Sequence, residues 1–129
     1  MRNKKNCALI IAAILFCVAV MISCTHSPQQ SIPAVSFTGD IQPILAANCA
    51  LNGSCHLGAN NANDEVNLDS SVAYNTIITK HLVATGNPTA SLLYVEISTG
   101  VMPKAPYSAL SPAQLNTILY WIKQGALNN

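Results

Sequence analysis

Apolar and polar positions divide the 129 residues into three stretches of different character. Residues 8–21 form an almost unbroken apolar run behind a basic start of Arg2, Lys4 and Lys5. Residues 24–36 hold Ser, Pro and Gln with little hydrophobic pattern and are expected to be a flexible tether. From Phe37 the pattern turns helical. Ile41, Ile44 and Leu45 share one helical face, so a helix is predicted to begin near Gly39 or Asp40, with Pro43 in a first turn whose amides lack partners. A short second helix carries Val72, Tyr74, Ile77 and Ile78, with Ser70 or Ser71 as its cap and its end before Gly86. Asn87-Pro88 then starts a third, with Leu92, Leu93 and Ile97 turned inward, and Thr99-Gly100 stops it. Val101, Met102 and Pro103 follow as an extended segment, because a residue before proline is pushed out of the helical region.

The last helix has the most complete signal. Ser111 caps, Pro112 takes the first position, Gln114 completes a capping box, and Leu110 staples onto Leu115. Leu115, Ile118, Leu119 and Ile122 make its buried face, Trp121 flanks that face, and Gly125 supplies the terminal cap. No strand-like alternation competes and no internal repeat is present. The expected fold is all-α, one small domain of about four helices over residues 37–129. About a hundred residues give only a thin core.

Composition changes the picture at the N-terminus. Half of the residues are hydrophobic and 9% are charged, but much of the apolar excess lies in the first two dozen positions. The run is short for a transmembrane helix and suits a secretory signal. Its close, Met21-Ile22-Ser23-Cys24 followed by polar residues, resembles the lipobox of bacterial lipoproteins. That resemblance implies a signal peptide over residues 1–23 and a lipid on Cys24; the alternative is an uncleaved membrane anchor. Either way the domain is exported and held at a membrane. Cys7 and Cys17 then leave with the signal, so Cys49 and Cys55 are the thiols of the domain, in an oxidising compartment. Lys80, Lys104 and Lys123 face Asp40, Asp64, Glu65, Asp69 and Glu96, a mildly acidic balance without the basic patch that nucleic-acid binding requires.

The chemistry gathers in residues 49–56, Cys-Ala-Leu-Asn-Gly-Ser-Cys-His. Two thiols with an imidazole directly behind the second is the order used to attach haem covalently, although the usual spacer is two residues and here it is five. The Asn52-Gly53 pair suits a turn within that longer spacer. A Cys49–Cys55 disulfide beside an ordinary His56 is the other reading. The polar stretch that follows lacks the ligand pattern of a calcium loop and reads as a surface loop.

Taken in order, Asp40-Ile41-Gln42-Pro43-Ile44 leading into Cys49, then Cys55-His56, Ser91-Leu92-Leu93-Tyr94, Met102-Pro103 and the Leu110-Ser111 helix with Trp121 resemble a class I cytochrome c domain. The likeness covers residues 37–127. It implies one covalent haem c, thioethers from Cys49 and Cys55, His56 as the proximal iron ligand, and the sulfur of Met102 on the other side. It also implies Tyr74, Leu92, Tyr94, Ile97 and Trp121 packing on the haem. With both axial positions filled the iron exchanges electrons with partner proteins and does not bind substrate. His81, the alternative to Met102, is expected on the surface. A nucleophile-and-base pair, a metal triad and a phosphate loop are all missing from the domain, so catalysis is not expected. The competing class is a haem-free helical lipoprotein serving as a binding module.

Overall fold

The Ser36 hydroxyl accepts the Gly39 N–H at 3.1 Å, and the Asp40 carboxylate reaches back to the Ser36 N–H at 2.8 Å. This reciprocal cap starts the first helical stretch at Phe37, ahead of the expected Gly39 or Asp40. The computed structural model describes residues 32–51, 55–58 and 66–129. The signal peptide, Cys24 and the Asn52-Gly53 turn lie outside the described residues. Phe37–Ile41 is a wide π turn, and α1 continues it as Gln42–Asn48 with Pro43 in its second position. The wide turn explains how proline sits this far inside. Proline has no N–H and its ring clashes with the carbonyl four residues back, whereas here Ile41 and Gln42 bond five residues back, to Ser36 and Phe37, and the carbonyls are re-aimed.

The second helix, α2, is Ala73–Thr79. It starts from Val72 without a side-chain cap, so neither Ser70 nor Ser71 caps it as expected; in the turn before it the Asp69 carboxylate accepts both the N–H and the hydroxyl of Ser71 at 2.9 and 2.8 Å. Those bonds hold the Asp69 pKa below the usual carboxylate value. Ala73, Thr76 and Ile77 face inward, whereas Val72 and Ile78 are exposed. The helix closes at His81 with φ 54°, where the His81 N–H meets the Ile78 carbonyl and the Leu82 N–H meets that of Ile77. That is the glycine-type C-cap without glycine.

Pro88–Ala90 forms only a 3-10 turn, and α3, Leu92–Ser98, begins after it. The break falls at Ser91, which is buried because its hydroxyl accepts the Ala84 N–H at 2.9 Å. Leu93 and Ile97 enter the core; Leu92, expected inward, is half exposed. The last helix, α4, is Pro112–Lys123, and its capping box has both bonds, Gln114 N–H to the Ser111 hydroxyl and Ser111 N–H to the Gln114 amide oxygen. At its end the Gly125 N–H bonds to the Ile122 carbonyl and the Ala126 N–H to that of Trp121, with Gly125 at φ 100°. Among the described residues there are four α-helices and no strand, an all-α fold.

Trp121 is the centre of the packing rather than its flank. It is fully buried, its ring 5.4 Å from that of Phe37, which in turn meets Tyr74 edge-on at 5.1 Å. The indole N–H donates to the Leu127 carbonyl at 2.9 Å. Around it lie Ile41, Leu45, Ile77, Ile118 and Ile122, all fully buried. The packed chain also starts before Phe37. Val35 is buried with its N–H on the Gln124 amide oxygen, and the Gln124 amide nitrogen donates to the Pro33 carbonyl at 2.7 Å. Residues 33–36 therefore belong to the domain and not to the tether. Asn129 completes this junction by accepting from the Phe37 N–H and from the Ser36 and Thr38 hydroxyls.

Candidate functional site

α1 delivers Cys49. The stripe of Ile41 and Leu45 continues to Cys49, whose N–H caps the Leu45 carbonyl at 2.8 Å, so the thiol is drawn into the core at the helix end. Burial, and then the neighbouring charge of Cys55, push the Cys49 thiol up to about 11. Cys49 therefore stays protonated at neutral pH. Cys55 is half exposed, and both thiols are free.

The loop between them is closed at its ends: the His56 N–H donates to the Cys49 carbonyl at 3.1 Å. His56 thus returns to the end of α1 although it lies seven residues beyond the first thiol. A second segment, residues 66–69, fixes it there. The Leu68 N–H bonds to the His56 carbonyl at 2.7 Å, while the Asn67 amide oxygen accepts from Gly58 at 3.2 Å and from Asp69 at 2.9 Å. Leu68 is buried and anchors the segment in the core. The Val66 carbonyl stands 3.0 Å from Nδ1 of the His56 ring. A carbonyl oxygen only accepts, so Nδ1 carries the proton and Nε2 holds the lone pair. Among the described residues Nε2 has no hydrogen-bond partner. This is the orientation that a backbone carbonyl gives to a metal-ligating imidazole.

Met102 is held from a different direction. Its N–H bonds to the Glu96 carbonyl at 3.0 Å, tying its backbone to the last turn of α3, and its side chain is half buried against the core. Pro103 follows it directly. The structure thus brings Cys49, Cys55 and His56 into one closed loop, and places Met102 on its own support. Ala50, Val66, Tyr94 and Met102 are half buried against the core. Of the expected packing residues, Trp121 and Ile97 are already enclosed by protein, Tyr74 packs edge-on against Phe37, and Leu92 is exposed. His81 is exposed, as expected of a surface residue. No set of three or more His, Cys, Asp or Glu side chains fit to hold a metal ion occurs among the described residues.

Sequence reasoning missed the backbone partners. The carbonyl of Val66 orients His56, and the amide of Asn67 organises the segment; the second had a signal, an Asn two residues before an Asp in a turn-rich stretch. A cleft of about 340 Å³ lies elsewhere, lined by Phe37, Gln42, Ser71, Tyr74 and Asn75 among others, and touches none of the four site residues. No helix among the described residues is long and apolar enough to cross a membrane. Comparison with protein-family models, with curated proteins and with solved structures finds no match to this chain.

Proposed function

We propose that this chain is a membrane-tethered single-haem electron carrier, with haem c bound through Cys49 and Cys55 and ligated by His56 and Met102. The observation that carries the proposal is the pairing of His56 Nδ1 with the Val66 carbonyl, beside a loop whose two thiols are free and whose ends are closed. The donor set fits the group: two unpaired thiols, an imidazole with its ligating nitrogen turned away from the backbone, and a thioether on a braced loop. When bound, haem supplies an iron centre that gains and loses one electron.

The residues of the chain do the rest. The Val66 carbonyl holds the proton on Nδ1 and thereby leaves the lone pair on Nε2. Glu96 and Pro103 fix the backbone on either side of Met102, which limits the motion of its sulfur. Apolar burial by the surrounding side chains and a thioether ligand favour the reduced state and raise the potential. With His56 and Met102 both holding the haem, no position would be left for a substrate, and the chemistry supplied would be the transfer of single electrons to a partner protein. The polar segment before residue 32 serves as the tether from a lipid on Cys24, which keeps the exported carrier at a membrane.

The test is the mass and the pyridine haemochrome spectrum of the mature protein, produced together with haem-attachment proteins. A gain of one haem with a c-type spectrum is expected. A loss of two hydrogens would instead establish the Cys49–Cys55 disulfide and a haem-free binding module.

A further inference from the structure

The point where the chain enters the domain and the end of α4 form one face. Gln124, the residue that closes α4, clamps Pro33 and Val35 with its two amide atoms. Asn129 clamps Ser36, Phe37 and Thr38. Beside these clamps two aliphatic side chains stand in solvent, Ile32 at 46% and Leu127 at 56% exposure. Two charged side chains stand at this junction, Lys123 in the last turn of α4 and Asp40, whose carboxylate accepts the Ser36 N–H at 2.8 Å. The Lys123 ammonium lies 5.5 Å from the centre of the Tyr120 ring. Exposed aliphatic side chains beside a lysine, with the one acid tied to the main chain of Ser36, suit a surface at the edge of a bilayer.

The chain itself says which surface. Seven residues separate Cys24 from Ile32, a span of at most about 28 Å. We propose that this end of the domain rests on the lipid surface, with Ile32 and Leu127 in the interfacial layer and Lys123 toward anionic headgroups. The proposal rests on the reading of Cys24 as the lipid-bearing residue. The contact is weak alone, but so short a tether keeps the local concentration of lipid high.

One consequence concerns electron transfer. The helical stretch from Phe37 to Asn48 leads from the clamped face to Cys49, a rise of roughly 15–20 Å. The Cys49 end is then turned from the bilayer toward a partner in the aqueous phase.

The experiment uses the full-length acylated protein in vesicles containing anionic phospholipid, with the lipid on Cys24 established by mass. A nitroxide is placed at exposed Asn128 by Asn128→Cys, or at exposed Lys104 by Lys104→Cys, and its access to oxygen in the lipid is compared with its access to an aqueous nickel chelate. The ratio is expected to be several-fold higher at 128 than at 104. Adding Ile32→Asp and Leu127→Asp is expected to bring 128 down to the value at 104. Equal ratios in the unaltered face, or a higher one at 104, with the acyl group present, overturn the orientation while leaving the tether standing. Absence of the acyl group overturns the tether and the orientation together.

Discussion

His56 Nδ1 and the main-chain oxygen of Val66 lie 3.0 Å apart, and this contact fixes which nitrogen of the imidazole carries a lone pair. It separates the roles of the two proposed ligands, because His56 is oriented by the loop after the thiols and Met102 by the end of α3. In haem-loaded protein, Met102→Ala is expected to abolish the low-spin spectrum of a Met-ligated centre while both thioethers and the His56 bond persist. Absorption spectra together with intact mass check this. A spectrum identical to that of the parent would remove Met102 from the site.

Cys49 supplies a pH test in haem-free protein. Its thiol is raised from 9.0 to about 11, chiefly by burial. A raised acid group favours the protonated fold, so its stabilisation is complete below pH 9 and is lost as pH rises from 9 to 11. Two pH units correspond to something on the order of 2–3 kcal/mol. Urea unfolding of the reduced protein is expected to show that decline, and Cys49→Ser to flatten it. At pH 8 a thiol-alkylating reagent is expected to modify half-exposed Cys55 well before buried Cys49.

Where sequence and structure agree, the information is local. Ser111, Pro112, Gln114 and Gly125 state the two ends of α4 in residue types whose capping chemistry is self-contained, and every one of them does what its type implies. Where they part, a longer-range contact decides. Ser36 begins the first helix because Asp40 and Asn129 both bind it. Leu92 is exposed because Ser91, held by Ala84, resets the helix at that point. Trp121 moves from flank to centre because Phe37 and Leu127 meet it from opposite ends of the chain. In the site, Cys49, Cys55 and His56 were legible from their order, but the Val66 carbonyl was not, since any residue type provides a carbonyl.

His81 shows the same limit and yields a stability prediction. It occupies the left-handed position that ends α2, φ 54°, with both C-cap bonds made. A side chain there is strained by roughly 1–2 kcal/mol, while glycine gives back roughly 0.4–1 kcal/mol through its freer unfolded chain. His81→Gly is therefore expected to stabilise the domain by about 0.5–1 kcal/mol in chemical denaturation, and His81→Val to destabilise it. The haem spectrum is expected to stay unchanged in both, since His81 is exposed and takes no part in the proposed site.

Gln42 presents the opposite case, a polar group where an apolar one fits better. Its amide nitrogen and oxygen are both buried without a partner among the described residues, beside the cleft formed with Phe37 and Tyr74. An unsatisfied buried group of this kind costs about 1–3 kcal/mol. Gln42→Met keeps the length of the side chain and removes both polar atoms. Thermal unfolding is expected to show a rise in Tm of about 5 °C, equivalent to about 1 kcal/mol in a domain of this size. A fall in Tm would show that the amide finds a partner in solution.

The five-residue spacer is open to direct trial because its ends already meet. The His56 N–H reaches the Cys49 carbonyl at 3.1 Å, so the residues between them leave and rejoin the chain at nearly the same place. Removing Asn52, Gly53 and Ser54 leaves Cys-Ala-Leu-Cys-His, in which the same hydrogen bond becomes an ordinary helical bond between residues four apart. Leu68 and Asn67 grip the segment from the other side and are untouched. The shortened protein is expected to keep its helical circular dichroism and to bind haem through both cysteines, at a yield equal to or above that of the parent under a standard attachment system. If it folds but accepts no haem, the extra residues are themselves part of what the attachment machinery reads. If it fails to fold, the Cys49–His56 bond depends on the longer path, and the loop is a structural element in its own right.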